Sequence, residues 1–361
     1  MTRKEFLLTV SGAAATAALS MRGARGETAN PKFRRGVTLY SYQEEYYTRA
    51  MTLEDCVAEV ACMGAEGVEL VAEEMVPDYP NPPDRWVEHW HGLMEKYHTK
   101  PACMDTFVDV FWGGRRNMST QEAVDTLVAQ MKLANRLGFK VMRPTTGPVE
   151  DTAPAMIEKA LPYAEKYDVR ICPEVHAPIS LTGKFIENYL EIIERTKTKH
   201  LGFNPDMGIF VKRLPRVFLD HFVRQGAQPE VVRYIATAFQ DNATLDQRLA
   251  AVRKMGGNAV DQQLAFAAQG YGPVTNQPKD LLPILPYSYN IHGKFYEMTD
   301  DLEEYSIPYA EIFPVLVEGG YSGCVNSEYE GQRNTQDIIA TDSCEQVRRH
   351  HVMMKRLMGE A

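Results

Sequence analysis

From position 34 onward the chain alternates short, almost uniformly apolar runs with longer segments whose apolar residues recur every three or four positions. The short runs read as strands of a sheet covered on both faces, and the recurring pattern reads as amphipathic helix. Strands are predicted at 36–40, 67–71, 101–105, 139–143, 169–173, 201–204, 289–291 and 323–326. Helices are predicted at 52–63, 85–97, 119–138, 154–167, 184–195, 308–318 and 344–358. Local chemistry supports several of these boundaries. Thr52 and Asp55 form a capping pair, Ser119 caps the long helix, and Gly64 and Gly138 stand where helices stop. Eight such strands fit a (β/α)8 TIM barrel, an α/β fold, better than an open sheet.

The rhythm breaks once. Residues from about 210 to 286 form a polar, largely helical stretch roughly twice as long as one strand–helix unit needs. Helices are expected there at 213–225, 229–238 and 245–254, followed by a Gly/Pro-rich run from 269 to 286. We therefore expect one barrel domain over 30–361 with a helical insertion between strands six and seven. Loops that follow barrel strands gather on the face that carries active sites. The insertion is thus expected to be either a lid over that mouth or a docking surface for another chain.

Four strings place one metal-type ligand at or just past the end of a predicted strand: ICPEVH with Glu174, LGFNPD with Asp206, YNIHGK with His292 and CVNSEYE with Glu328. Strands five to eight deliver all four to the same face, where three carboxylates and an imidazole make a mixed O/N set for one divalent ion. Mn²⁺ suits that set first, with Mg²⁺, Co²⁺ or Zn²⁺ as alternatives. Side chains two apart on an extended segment share a direction, so His176, Lys294 and Glu330 are expected to contact substrate oxygens beside the ligands. Any one of these residues alone would more often be a solvated rim residue, and a Lys294–Glu330 rim ion pair is the plainer reading of those two. The joint arrangement carries the expectation. Glu174 and Glu328 would then move a proton at a carbon next to a carbonyl, with the ion polarising sugar oxygens.

Composition narrows the classes. A formal charge of −9 opposes a nucleic-acid partner, whose phosphates need a positive surface. No stretch is long and apolar enough to span a membrane. The six cysteines show no CxxC pair and are expected to be reduced core thiols. Residues 1–29 have basic Arg3 and Lys4, an apolar Ala-rich stretch and a polar end, the layout of a twin-arginine-like export segment. That points to the periplasm, although Lys4 occupies the place of the second arginine. A cytoplasmic protein with a disordered tail is the other reading.

The four strings resemble the xylose-isomerase-like family of sugar isomerases and epimerases, and GGYSGCVNSEYEG is especially like that family's last strand. The resemblance implies a TIM barrel from about residue 34 to the end. By match of motif, it puts the metal ligands on Glu174, Asp206, His292 and Glu328, with Glu174 and Glu328 as the acid–base pair. Typical ketose epimerases of the family lack the long insertion. With VTLYSYQEEYY and FNPDMGIF it looks more like the α subunit of C-deglycosylation enzymes. That branch implies carbon–carbon cleavage of 3-oxo-glycosides and a small β-rich partner subunit, with a homo-oligomer as the alternative. Simple keto-sugar isomerisation or epimerisation is the second reading, and a non-catalytic, metal-stabilised subunit the third. An abasic-DNA endonuclease on the same barrel would need more strand-end histidines than this chain offers.

Overall fold

The computed structural model describes residues 33–108, 118–146, 152–338 and 342–360. The export-like segment at 1–29 lies outside the described residues. Among the described residues nine strands appear in chain order: β1 Arg34–Thr38, β2 Gly67–Val71, β3 Lys100–Phe107, β4 Val141–Thr145, β5 Arg170–Ile171, β6 Glu174–Val175, β7 Asn204–Pro205, β8 Asn290–Phe295 and β9 Cys324–Tyr329. Seven of them form one parallel sheet in the order β5-β4-β3-β2-β1-β9-β8, while β6 and β7 pair separately. Parallel bridges Ile171–Leu201, Phe203–Ser288 and Asp206–His292 carry the pairing from β5 through β7 to β8. The arrangement is a TIM barrel. Its fifth strand is β5 plus β6, interrupted near Pro173, which has no N–H to give to a ladder.

The helices form where the pattern places them. Thr52 and Asp55 build a reciprocal capping box ahead of Leu53–Cys62, and Ser119 with Glu122 does the same ahead of Thr120–Arg136. Helices Asp84–Tyr97, Ala153–Tyr167, Lys184–Thr196, Tyr309–Glu318 and Ser343–Met358 complete the outer layer. One large core joins these helices to the barrel. Trp90 shows how: it is fully buried, stacks on Phe139 at 5.6 Å and donates its indole N–H to the Leu137 carbonyl at 3.0 Å. Burial of a side chain of this size stabilises the fold by roughly 1.5–3 kcal/mol.

Three expectations need correction. Strands seven and eight run to Phe295 and Tyr329, so His292 and Glu328 lie within strands rather than at their ends. The apolar pattern hid this because His292, Lys294, Asn326 and Glu328 are all buried in the barrel despite being polar. The insertion holds a fourth helix, Ala259–Ala267, besides Arg216–Arg224, Pro229–Gln240 and Leu245–Lys254. Asn258 and Asp261 cap it, a signal masked by the glycine pair before it. All six cysteines are free, but Cys62 is exposed, so it is not a core thiol. Among the described residues no helix is long and apolar enough to cross a membrane.

Candidate metal centre

Register brings the predicted ligands together. Lys294 of β8 pairs with Glu328 of β9, His292 pairs with Asn326, and Asp206 bridges to His292 directly after β7. Glu174 opens β6 opposite Asn204. As a result Glu174, Asp206, His292 and Glu328 each offer a ligand atom within 4.8 Å of the others. His292 Nδ1 lies 2.9 Å from Glu174 Oε1 and 3.0 Å from Glu328 Oε2. One ring nitrogen cannot satisfy two carboxylates with a single proton. Glu328 Oε2 is buried and has no well-aligned hydrogen bond. Three carboxylates converging on an imidazole could hold a divalent cation.

The other side of His292 supports that reading. Its Nε2 meets Glu69 Oε1 at 2.6 Å, which turns Nδ1 toward the cluster. Ligating histidines commonly give their second nitrogen to a carboxylate in this way. Glu69 is itself held by Asn290 at 2.9 Å and by Asn326, and Asn290 also donates to Asn204 at 3.0 Å. Burial alone would push Glu69 upward, yet the charge and hydrogen bond of His292 bring its carboxyl down to about 2. Burial would likewise lower His292, but Glu328 and Glu69 hold it well above its ordinary range.

Two cations border the cluster. Arg143 pairs with Asp105 at 2.9 Å and with Glu174 at 3.2 Å. Lys294 reaches Glu330 at 2.9 Å, Glu328 at 3.2 Å and Asp206 at 3.3 Å. Against the cost of burial, Arg143 and His292 bring Glu174 well below the usual carboxylate range. His292 and Lys294 lower Glu328 against the same cost. Asp206 goes the other way, pushed up to about 7 by burial that Lys294 only partly offsets.

A cavity of about 380 Å³ opens above the cluster. His176, Lys294 and Glu330 all line it. Lys294 and Glu330 are also the ion pair that the plainer reading expected. His176 is turned by a 2.7 Å hydrogen bond from Nδ1 to the Ala177 carbonyl. Tyr40 donates to Glu330 at 3.3 Å, Arg333 pairs with it at 3.1 Å, and Gly270 of the insertion completes the wall. Sequence reasoning missed Glu69, Asp105 and Arg143 by looking only at strands five to eight. The signal was present: a lone glutamate inside the apolar run GVELV, and charged residues closing strands three and four.

Residues 57–231 match the family model for the xylose isomerase-like TIM barrel. The chain is 30% identical to the 3'-dehydrocarminate deglycosidase alpha subunit of a Microbacterium species, over 91% of this chain and 96% of that relative. It is 27% identical to a C-glycoside deglycosidase alpha subunit of Arthrobacter globiformis, over 90% of this chain and 92% of that one. Among solved structures, the IOLI protein with a bound zinc atom superposes with a TM-score of 0.56 at 11% identity, over 91% of this chain and 99% of that chain. The chain therefore belongs to the xylose isomerase-like TIM-barrel family, in the branch of enzymes whose curated relatives are C-glycoside deglycosidase alpha subunits.

Proposed function

We propose that this chain is the metal-binding, catalytic subunit of a deglycosidase that releases the aglycone from a 3-oxo-glycoside by elimination. The observation that carries this reading is the convergence of Glu174, Asp206, His292 and Glu328 beneath an open cavity, with Glu69 setting the orientation of His292. These four residues would hold a divalent ion, Mn²⁺ first among those the donor set suits, and the ion would polarise the sugar carbonyl. The relatives' names, which include a 3'-dehydro glycoside, support the substrate class.

The residues supply the proton chemistry. Their neighbouring cations keep Glu174 and Glu328 ionised at neutral pH, so either starts as a base. One takes the proton from C2, which the C3 carbonyl acidifies. The electron pair forms the C1=C2 bond, and the C1–aglycone bond breaks. The aglycone carbon leaves with the proton that the abstracting glutamate, now a carboxylic acid, gives back directly or through its partner glutamate. Lys294, His176 and Glu330 hold sugar oxygens at the mouth.

The test is to load the full chain with Mn²⁺, with and without a co-expressed small partner subunit, and supply a 3-oxo-C-glycoside. Released aglycone supports elimination. A ketose epimer formed from free sugar, with no aglycone released, would replace the proposal with isomerisation. Metal-dependent stabilisation without any turnover would leave a non-catalytic subunit. The export-like 1–29 segment gives the same proposal a place in the periplasm, checked by fractionating cells that express the full chain.

A further inference from the structure

The insertion contains a buried cation with no counter-charge. Arg248, on the helix Leu245–Lys254, is only 5% exposed. Its Nε and Nη1 are both buried and have no hydrogen-bond acceptor. No salt bridge to Arg248 is formed among the described residues. A guanidinium carries five N–H donors and cannot shed its proton, so burying it unpaired is unfavourable. Burial accordingly pulls Arg248 below the usual arginine range.

Arg248 also borders a cavity of about 300 Å³. No other charged side chain lines it, which matters in a chain whose formal charge is −9. Phe239 gives an apolar wall, and Thr244 and Leu245 bring in the positive end of a ten-residue helix. The opposite wall is Pro178 and Gly272. A Cβ on Gly272 would stand 3.6 Å from the Pro178 backbone, so these two segments are in contact. Ala177 and Gly270, next to them in the chain, line the metal-centre cavity. The segments around Pro178 and Gly272 thus border both cavities.

We propose that the insertion carries an oxyanion site in which Arg248 receives a carboxylate or phosphate group of a small molecule. A planar fork beside an apolar ring suits an aromatic or sugar acid, or a phosphorylated small molecule. The site is independent of the metal centre and of the elimination reading.

The test uses the full chain in chloride buffer, with inorganic phosphate, acetate and benzoate as probes in calorimetry and thermal melts. The parent protein binds at least one probe saturably and melts at a higher temperature with it. Preference for phosphate marks a phosphorylated ligand, and preference for benzoate marks an organic acid. R248M weakens that binding by at least ~10-fold and loses the shift. R248M melts no lower than the parent without probe, since it removes an unpaired buried charge. Should R248M fail to fold, R248K keeps the test, because an ammonium lacks the fork and binds at least ~10-fold more weakly. Equal binding by the parent and the folded variant places the anion elsewhere, at the metal centre for instance, and overturns the proposal. So does the absence of binding by the parent.

Discussion

His292 has two ring nitrogens with different tasks. Nε2 is engaged by Glu69 at 2.6 Å, and Nδ1 is thereby presented to Glu174 and Glu328. Glu69→Gln removes the charge that fixes this orientation while keeping the shape. We expect its metal affinity to fall by about 10–100-fold, read by titration with Mn²⁺, with little change in far-ultraviolet dichroism. Glu174→Gln and Glu328→Gln remove the proton-transfer groups themselves. Turnover of a 3-oxo-glycoside should drop by roughly 10²–10⁴-fold in each, with the barrel intact. A full-rate Glu328→Gln protein would sink the acid–base assignment. At this scale the four clustered residues were legible in sequence because carboxylates and an imidazole stand out beside apolar strand runs. Glu69 was not, because its role depends on a ring 223 positions away.

At the scale of elements, β1 and β9 show how closely the barrel strands constrain one another. Gly36 stands opposite Asn326, and a Cβ there would overlap Asn326 Oδ1 and approach the Gly67 carbonyl to 2.7 Å. Gly36→Ala should cost about 1–3 kcal/mol, seen as a lower melting temperature, because a backbone wall cannot yield. It should also displace Asn326 from Glu69 and weaken metal binding. The closing helix Ser343–Met358 makes a second prediction. His350 is fully buried, stacks on Phe295 at 4.2 Å, and burial pushes it down to about 3. The unfolded chain takes up this proton near pH 6.5 and the folded chain does not, so stability is intact above that pH. It falls as pH drops from about 6.5 toward 3, by up to about 1.4 kcal/mol per pH unit. Burial depresses His351 in the same direction. Denaturant melts across this range should show a shallower slope in His350→Gln.

At the scale of the whole molecule, the candidate metal centre joins four successive barrel strands, so an ion held there should stabilise the fold as a unit. At 100 times its dissociation constant, a bound ion adds about 2.7 kcal/mol, and chelator should lower the melting temperature accordingly. A melting temperature unchanged by chelator and by added Mn²⁺ would falsify the metal centre. The sequence by itself determined the barrel, most helix boundaries, the helical stretch after strand six and the four residues that cluster, Glu174, Asp206, His292 and Glu328. Each of these is written in local periodicity, capping chemistry or ligand type, which neighbouring residues express without help. Only the tertiary structure decided that β8 and β9 continue inward as polar strands, that Glu69 sits behind His292, and that the insertion contributes Gly270 to the cavity wall. It also decided that Arg248 is buried without a partner. The physical reason is that register and burial set the protonation and orientation of a charged side chain. Those depend on which distant residues the closed barrel brings within about 3 Å.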